Sequence, residues 1–272
     1  MALRQLGIWR RHQAGFDGLS EMEALGYGAL WLGSSPSPAQ ARPFLERSST
    51  LTVATGILNV WQHEPAAVAA AHAQLRRDFP GRFLLGIGIG HPEATAEYAS
   101  PLTTLREFFD GLDAAPEPVP REERVAAALG PKMLDLAAQR SRGAHTYFIT
   151  PEHTRYARER LGPDALLAPE LAVVLETDDE TARTAARAYA ATYLRLRNYT
   201  RNLLRFGFTE RDIADGGSDR LIDAVIPHGS AGEVADAVRA HFDAGADHVA
   251  LQPLGHGAAP VADYEALARA LV

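Results

Sequence analysis

The residues able to move a proton are few and placed in pairs: His91 stands two positions before Glu93, and His63 is followed by Glu64. Imidazole titrates near neutrality and a carboxyl can be tuned into that range, which makes His91, Glu93 and His63 the candidate proton donors or acceptors. One cation stands apart, because Lys132 is the only lysine among 27 basic residues. It follows Gly130 and Pro131, a pair that at a first helical turn leaves backbone N–H groups free to face an anion. Leu129 to Lys132 therefore reads either as a phosphate site or as a helix start whose lysine is solvated.

Other chemistries drop out. The chain has no cysteine, which removes disulfides, thiolate catalysis and thiolate-bound metals. His63-Glu64 lacks the second histidine of a zinc helix and no other tight histidine cluster exists, so no metal is expected. Ser34 has no G-x-S-x-G elbow around it, and hydrolase chemistry is set aside. The run Gly86-Ile87-Gly88-Ile89-Gly90 lacks the glycine placement of a dinucleotide fingerprint and reads as a strand that must pack closely and turn.

The elements needed to position these residues alternate along the whole chain. Short apolar runs are followed by alanine-rich stretches of helical period, the pattern of repeated β-α units on a parallel sheet. Eight strands are predicted: Leu6 to Trp9, Ala29 to Leu32, Leu51 to Leu58, Phe83 to Ile89, Arg124 to Leu129, Ala144 to Phe148, Leu171 to Glu176 and His248 to Leu254. Between them, Pro65 opens a helix that Pro80-Gly81 stops, and Thr150-Pro151-Glu152 opens another. Thr177 with Glu180, and Ser230 with Glu233, have capping-box spacing. The expected fold is α/β, a (β/α)8 TIM barrel in one domain over residues 1–272, with a helical insertion after strand seven over 177–221. Long connections of this kind serve as lids, binding loops or dimer contacts.

Active sites of such barrels form at the C-terminal ends of the strands. The short list is then Gly33-Ser34-Ser35, Asn59, Trp61 and His63, Gly90, His91 and Glu93, Leu129 to Lys132, Thr150, Glu152 and His153, and Gly255 with His256. His145 and His248 sit inside apolar strands and read as satisfied core histidines.

A length of 272 residues with 46% hydrophobic and 22% charged composition suits one substantial core. A net charge of -7 offers no basic face, so nucleic acid is not an expected partner. No apolar run reaches the roughly 20 residues of a membrane helix, and Met1 to Trp9 lacks the apolar stretch of a signal peptide, so no membrane contact and a cytoplasmic location are expected.

Several segments resemble the luciferase-like flavin and deazaflavin oxidoreductases, most closely the branch using coenzyme F420. They are Leu6-Gly7-Ile8-Trp9, Thr55 to Asn59 through Glu64-Pro65, Pro80 to Gly88, Ala128 to Leu134, and Gly245-Ala246-Asp247-His248-Val249. The resemblance implies hydride transfer on a small-molecule substrate, with F420, or alternatively FMN, at the barrel mouth. It implies a cis peptide at Gly56-Ile57 backing the ring, contacts from Asn59 and from Gly88 to His91 including Gly90, and a phosphate near Leu129, Gly130 and Lys132. It also implies a homodimer. Relatives that oxidise alcohols and sugars carry a histidine after strand two, where this chain has Gly33-Ser34-Ser35. That departure leaves three readings open: an F420-dependent oxidoreductase, an FMN-dependent monooxygenase, and a barrel that binds a ligand without catalysis.

Overall fold

A computed structural model describes residues 3–94, 98, 100–255 and 261–271, and His256 from the short list lies outside them. Among the described residues ten strand segments are present: β1 (Leu6–Arg11), β2 (Ala29–Gly33), β3 (Thr52–Thr55), β4 (Leu58–Asn59), β5 (Phe83–Gly88), β6 (Arg124–Ala127), β7 (Gly143–His145), β8 (Leu166–Leu167), β9 (Glu170–Val173) and β10 (Val249–Pro253). All ladders are parallel, and the order β8-β7-β6-β5-β3-β2-β1-β10-β9 returns on itself.

Two interruptions reduce ten segments to eight barrel positions. Strand three is split into β3 and β4 at Gly56-Ile57, whose peptide bond is cis. Strand seven is split into β8 and β9 by Ala168-Pro169, where proline removes a ladder donor. The ladder closes through that break: Ala168 N–H donates to Ala144 (2.9 Å), Glu170 N–H to Thr146 (2.8 Å) and Ala250 N–H to the Pro169 carbonyl (2.9 Å). The chain thus folds as a closed (β/α)8 barrel. Strand seven begins five residues earlier than expected from the sequence, at Leu166. Strand six stops at His145, earlier than expected from the sequence, and Phe148 beyond it adopts a left-handed backbone (φ 53°).

Alternation along the strands separates two cores. Ile8, Leu30, Leu32, Val53, Leu85, Ile87, Ala126, Leu171 and Leu251 face outward into one cluster with the apolar stripes of the surrounding helices. Trp9, Ala29, Trp31, Ala54, Leu84, Val125, Leu166, Ala168 and Ala250 fill the barrel interior. Buried large side chains of this type contribute roughly 1.5–3 kcal/mol each. Inside the barrel the Trp31 ring lies flat on His145, with centroids 4.2 Å apart at 9°. Its indole N–H donates to His248 Nε2 at 2.9 Å. Gly7 leaves room for that imidazole: a Cβ there would fall 2.2 Å from His248 Nε2.

The helices start and stop largely where capping chemistry requires. Pro65 opens Pro65–Asp78, Pro151 opens Pro151–Leu161, and the Ser230–Glu233 capping box precedes Ala231–Asp243. The expected Thr177–Glu180 box is replaced by Asp178, whose carboxylate accepts from Thr181 N–H at 2.9 Å. A carboxylate is an equally good cap and sits one residue closer.

The excursion after strand seven consists of helices Asp179–Tyr193, Arg197–Arg205, Glu210–Ile213 and Asp219–Val225, running slightly past the expected 177–221. It carries its own apolar cluster, in which Ala182, Ala186, Ala190, Tyr199 and Leu203 meet Phe148, Ala172 and Val174. Leu129, Tyr147 and Leu254 pack against that cluster. The excursion therefore rests on the C-terminal ends of strands five to eight.

Candidate active site

At the mouth the strands divide into two kinds. On one side, Gly33 and Gly88 end β2 and β5, Ala127 ends β6, and Gly56 follows β3 at the break before β4. On the other side stand Tyr147, Glu170 and Gln252. The Trp9 ring leans into the room left by two of the glycines: a Cβ would fall 2.2 Å from Trp9 Cη2 at Gly33 and 3.2 Å from Trp9 Nε1 at Gly56. Ile57 covers the third, since a Cβ at Gly88 would lie 2.6 Å from Ile57 Cδ1. Gly86 is fixed by a closer neighbour, as its Cβ would lie 1.8 Å from the Thr55 carbonyl oxygen. The glycine run of strand four thus serves packing, the reading drawn from its sequence.

The result is a stretch of partly exposed backbone at the mouth. Gly56 and Ile57 are half-exposed although they interrupt a barrel strand, as are Asn59, Ile89, Gly90, Leu129 and Gly130 around them. Two polar atoms beside the floor have no hydrogen-bond partner: Trp9 Nε1 and His145 Nε2, both buried. They lie 3.2 and 3.5 Å from the position of a Cβ on Gly56. His145 Nδ1 sits 2.7 Å from the Ala168 carbonyl and must donate to it, which leaves Nε2 as an acceptor while Trp9 Nε1–H is a donor.

The near wall is built by Asn59, whose side-chain oxygen accepts from Trp61 N–H at 3.2 Å, while Trp61 Nε1 donates to Ile89 at 2.7 Å. Gly90 turns with φ 64° directly over the Asn59 amide. The far wall begins at Leu129, whose carbonyl accepts from the buried His153 Nε2 at 3.0 Å. Gly130 then caps helix Pro131–Arg140 without any side-chain hydrogen bond, and a Cβ there would meet nothing within 4 Å. Lys132 is exposed on the first turn.

The three proton-transfer candidates are separated by the fold. His91 is half-buried at the rim, its Nδ1 is 3.1 Å from Asn198 Oδ1, and burial lowers its pKa. Glu93 is exposed and accepts from Arg197 N–H at 3.1 Å, which stabilises its charge and lowers its pKa. Both tie the loop after strand four to the start of helix Arg197–Arg205. His63 lies at the outer end of the short turn after β4, half-exposed, with its pKa lowered by partial burial. Sequence reasoning passed over the tyrosines opposite: Tyr147 OH lies 2.5 Å from Tyr189 OH and 3.0 Å from Tyr193 OH, and donates to Gln252 Oε1 at 3.0 Å. Glu170 sits behind them, and its signal was a lone acid inside the apolar run Ala165 to Leu175.

A cavity of about 210 Å3 opens beside Trp9, Arg11, Gln252 and Leu254, where β1 and β10 end. A second, of about 420 Å3, lies by His72, Arg76 and Glu117, away from the mouth. Among the described residues no group of three or more His, Asp or Glu could hold a metal. None of their helices is long and apolar enough to cross a membrane.

Residues 13–115 match the luciferase-like monooxygenase family model. An F420-dependent secondary alcohol dehydrogenase has a similar structure, with a TM-score of 0.75 at 16% identity over 99% of both chains. The coenzyme F420-dependent tetrahydromethanopterin reductase of Methanopyrus kandleri follows at 0.69 and 16% identity, again over 99% of both. The FMN-bound oxygenating constituent of 3,6-diketocamphane monooxygenase from Pseudomonas putida gives 0.69 at 15% identity, covering 98% of this chain and 96% of that one. No curated protein sequence matches.

Proposed function

We propose that the chain is an oxidoreductase that binds F420 against the exposed backbone at the barrel mouth and transfers hydride between that deazaflavin and a small organic molecule. The observation that carries this reading is the half-exposed backbone floor at Gly56 and Ile57, flanked by the strand ends Gly33, Gly88 and Ala127. A planar ring needs such a floor, and unpartnered Trp9 Nε1 and His145 Nε2 beside it supply a donor and an acceptor. When bound, F420 provides a ring carbon that gives or takes hydride.

The chain's own residues do the rest. Gly56, Ile57, Asn59, Gly88 and Gly90 support the ring, and Leu129, Gly130 and Lys132 receive the phosphate of its side arm at an uncapped helix start. The 210 Å3 cavity is below the roughly 300 Å3 at which cofactor pockets begin; it suits the substrate. His91, half-buried at the rim, is the proton-exchanging group nearest the loop after strand four. Glu93 holds that loop against helix Arg197–Arg205, and His63 is the more distant alternative.

The same floor serves FMN, and an FMN-bound neighbour with this fold favours a monooxygenase as the second reading. Titration of the purified protein with F420 and with FMN, read by fluorescence, separates the two. Micromolar binding of F420 is expected, and binding of neither rejects both. Lys132→Ala is expected to weaken F420 by about 1 kcal/mol, roughly fivefold in Kd, with the difference shrinking at high salt. An unchanged constant removes the phosphate arm from this helix start.

A further inference from the structure

Glu170 is the first residue of β9 and is 1% exposed, yet no cation is paired with it. Its carboxyl accepts from the Phe148 backbone N–H. That amide is presented because Phe148 takes a left-handed conformation, with φ 53°. For a bulky residue this backbone is strained, and such outliers gather at functional sites. Glu170 Oε1 also lies 3.5 Å from Tyr189 OH. From there the hydroxyls continue without a gap: Tyr189 OH to Tyr147 OH at 2.5 Å, and Tyr147 OH to Gln252 Oε1 at 3.0 Å. Tyr147, Tyr189 and Tyr193 are half-exposed toward the mouth, and Gln252 lines the 210 Å3 cavity.

Each hydroxyl carries one hydrogen, and although Tyr189 OH also lies 3.1 Å from Gln252 Oε1 and Tyr147 OH 3.0 Å from Tyr193 OH, two arrangements run the whole length of the path. With Glu170 protonated, its O–H is directed to Tyr189, Tyr189 donates to Tyr147, and Tyr147 donates to Gln252. With Glu170 ionised, Tyr189 turns to the carboxylate and Tyr147 turns to Tyr189.

We propose that Glu170 stores the proton of this active site and exchanges it with the mouth through Tyr189 and Tyr147, acting through these hydroxyls without touching the substrate. In one passage the carboxyl proton moves to Tyr189 oxygen, the Tyr189 proton to Tyr147, and the Tyr147 proton to an acceptor in the mouth. Glu170 is left as a carboxylate that regains its proton from the mouth by the same hydroxyls in reverse, and no electrons move along the path. The groups facing Glu170 from neighbouring elements are Tyr147 and the Phe148 amide after β7, Tyr189 and Tyr193 from helix Asp179–Tyr193, and Tyr199 from Arg197–Arg205. None of these is a cation, and Arg11 acts only weakly, on Tyr193. Burial without a counter-charge raises the carboxyl to about 8, so it holds its proton at neutral pH.

The role in turnover rests on the oxidoreductase reading, whereas the storage itself is measurable without cofactor. Infrared titration of the cofactor-free protein is expected to show a carboxylic acid band at pH 7 that fades as pH rises through about 8 and is missing in Glu170→Gln. With F420 bound, Tyr189→Phe is expected to lower turnover about 100-fold while leaving the cofactor Kd within twofold and the infrared band in place. Glu170→Gln is expected to flatten the alkaline limb of the wild-type pH profile. A band absent at pH 7, or unchanged in Glu170→Gln, overturns the storage. Unchanged turnover in Tyr189→Phe overturns the path. Failure of F420 and FMN to bind refutes the oxidoreductase reading alone, and the infrared result still decides whether Glu170 holds a proton.

Discussion

Lowering the pH from 6.5 toward 4 is expected to unfold this protein cooperatively, well above the range where carboxylate protonation does so. His72, His145, His153, His241 and His248 are each at most 3% exposed. Burial lowers all five from 6.5 to about 4. The neutral form is built into the structure: His248 Nδ1 donates to the Arg4 carbonyl at 2.6 Å while its Nε2 accepts from Trp31 at 2.9 Å. A proton on Nε2 sets two N–H groups against each other.

The direction follows from the depressed folded values. Between pH 6.5 and 4 the unfolded chain binds protons that the folded chain refuses, so stability falls as pH falls. Each histidine contributes up to about 1.4 kcal/mol per pH unit, and five together reach on the order of 7 kcal/mol per unit. Glu170 works in the opposite sense, because its raised value favours the folded state as acid is added from pH 8 to 4.5. One group offsets one of five. Against a total stability of roughly 5–15 kcal/mol, one to two pH units suffice. Tryptophan fluorescence and circular dichroism against pH would follow the transition, and a protein still folded at pH 4 contradicts the account.

Gly86→Ala is the substitution expected to cost most for a single added carbon. Its Cβ would stand 1.8 Å from the Thr55 carbonyl oxygen, and backbone cannot rotate aside as a side chain can. The pair is also clamped, since Thr55 Oγ1 donates to the Gly86 carbonyl at 2.7 Å and accepts from Gly86 N–H at 2.8 Å. Separating β3 from β5 enough to admit the methyl group breaks both bonds. A loss of about 3 kcal/mol or more follows, on the order of 10 °C in Tm for a chain of this size. Gly232→Ala is the control, because it lies in helix Ala231–Asp243 with no neighbour closer than 3.9 Å. It is expected to stabilise by about 0.5 kcal/mol. Thermal melts of the two variants in parallel test the geometry, and equal Tm values would reject it.

The fold was readable because parallel strands covered on both faces appear as uninterrupted apolar runs, and Pro, Gly, Ser and Thr mark the helix ends between them. Leu166–Leu167 escaped because Pro169 divides strand seven, and a proline argues against a central strand unless its missing donor falls at a break. The capping-box pattern favours the hydroxyl of Thr177, while the structure uses the carboxylate of Asp178 one residue on. The short list of residues after the strands located the mouth. It did not expose Glu170 or Tyr189, because the first precedes its strand's end and the second is delivered by a helix from the excursion. Periodicity describes single elements and carries no information on which helix comes to rest over which strand.

The pairing of β1 with β10 joins residues from opposite ends of the chain, with Leu6 beside Val249 and Ile8 beside Leu251. During translation at roughly 5–20 residues per second, the first strand must wait on the order of tens of seconds for its neighbour. Over that interval its unpaired edge is open to other chains, the situation in which nascent polypeptides need chaperones. Final yield in the cell then depends on how fast the ribosome delivers the last β-α unit, as well as on the stability of the finished barrel.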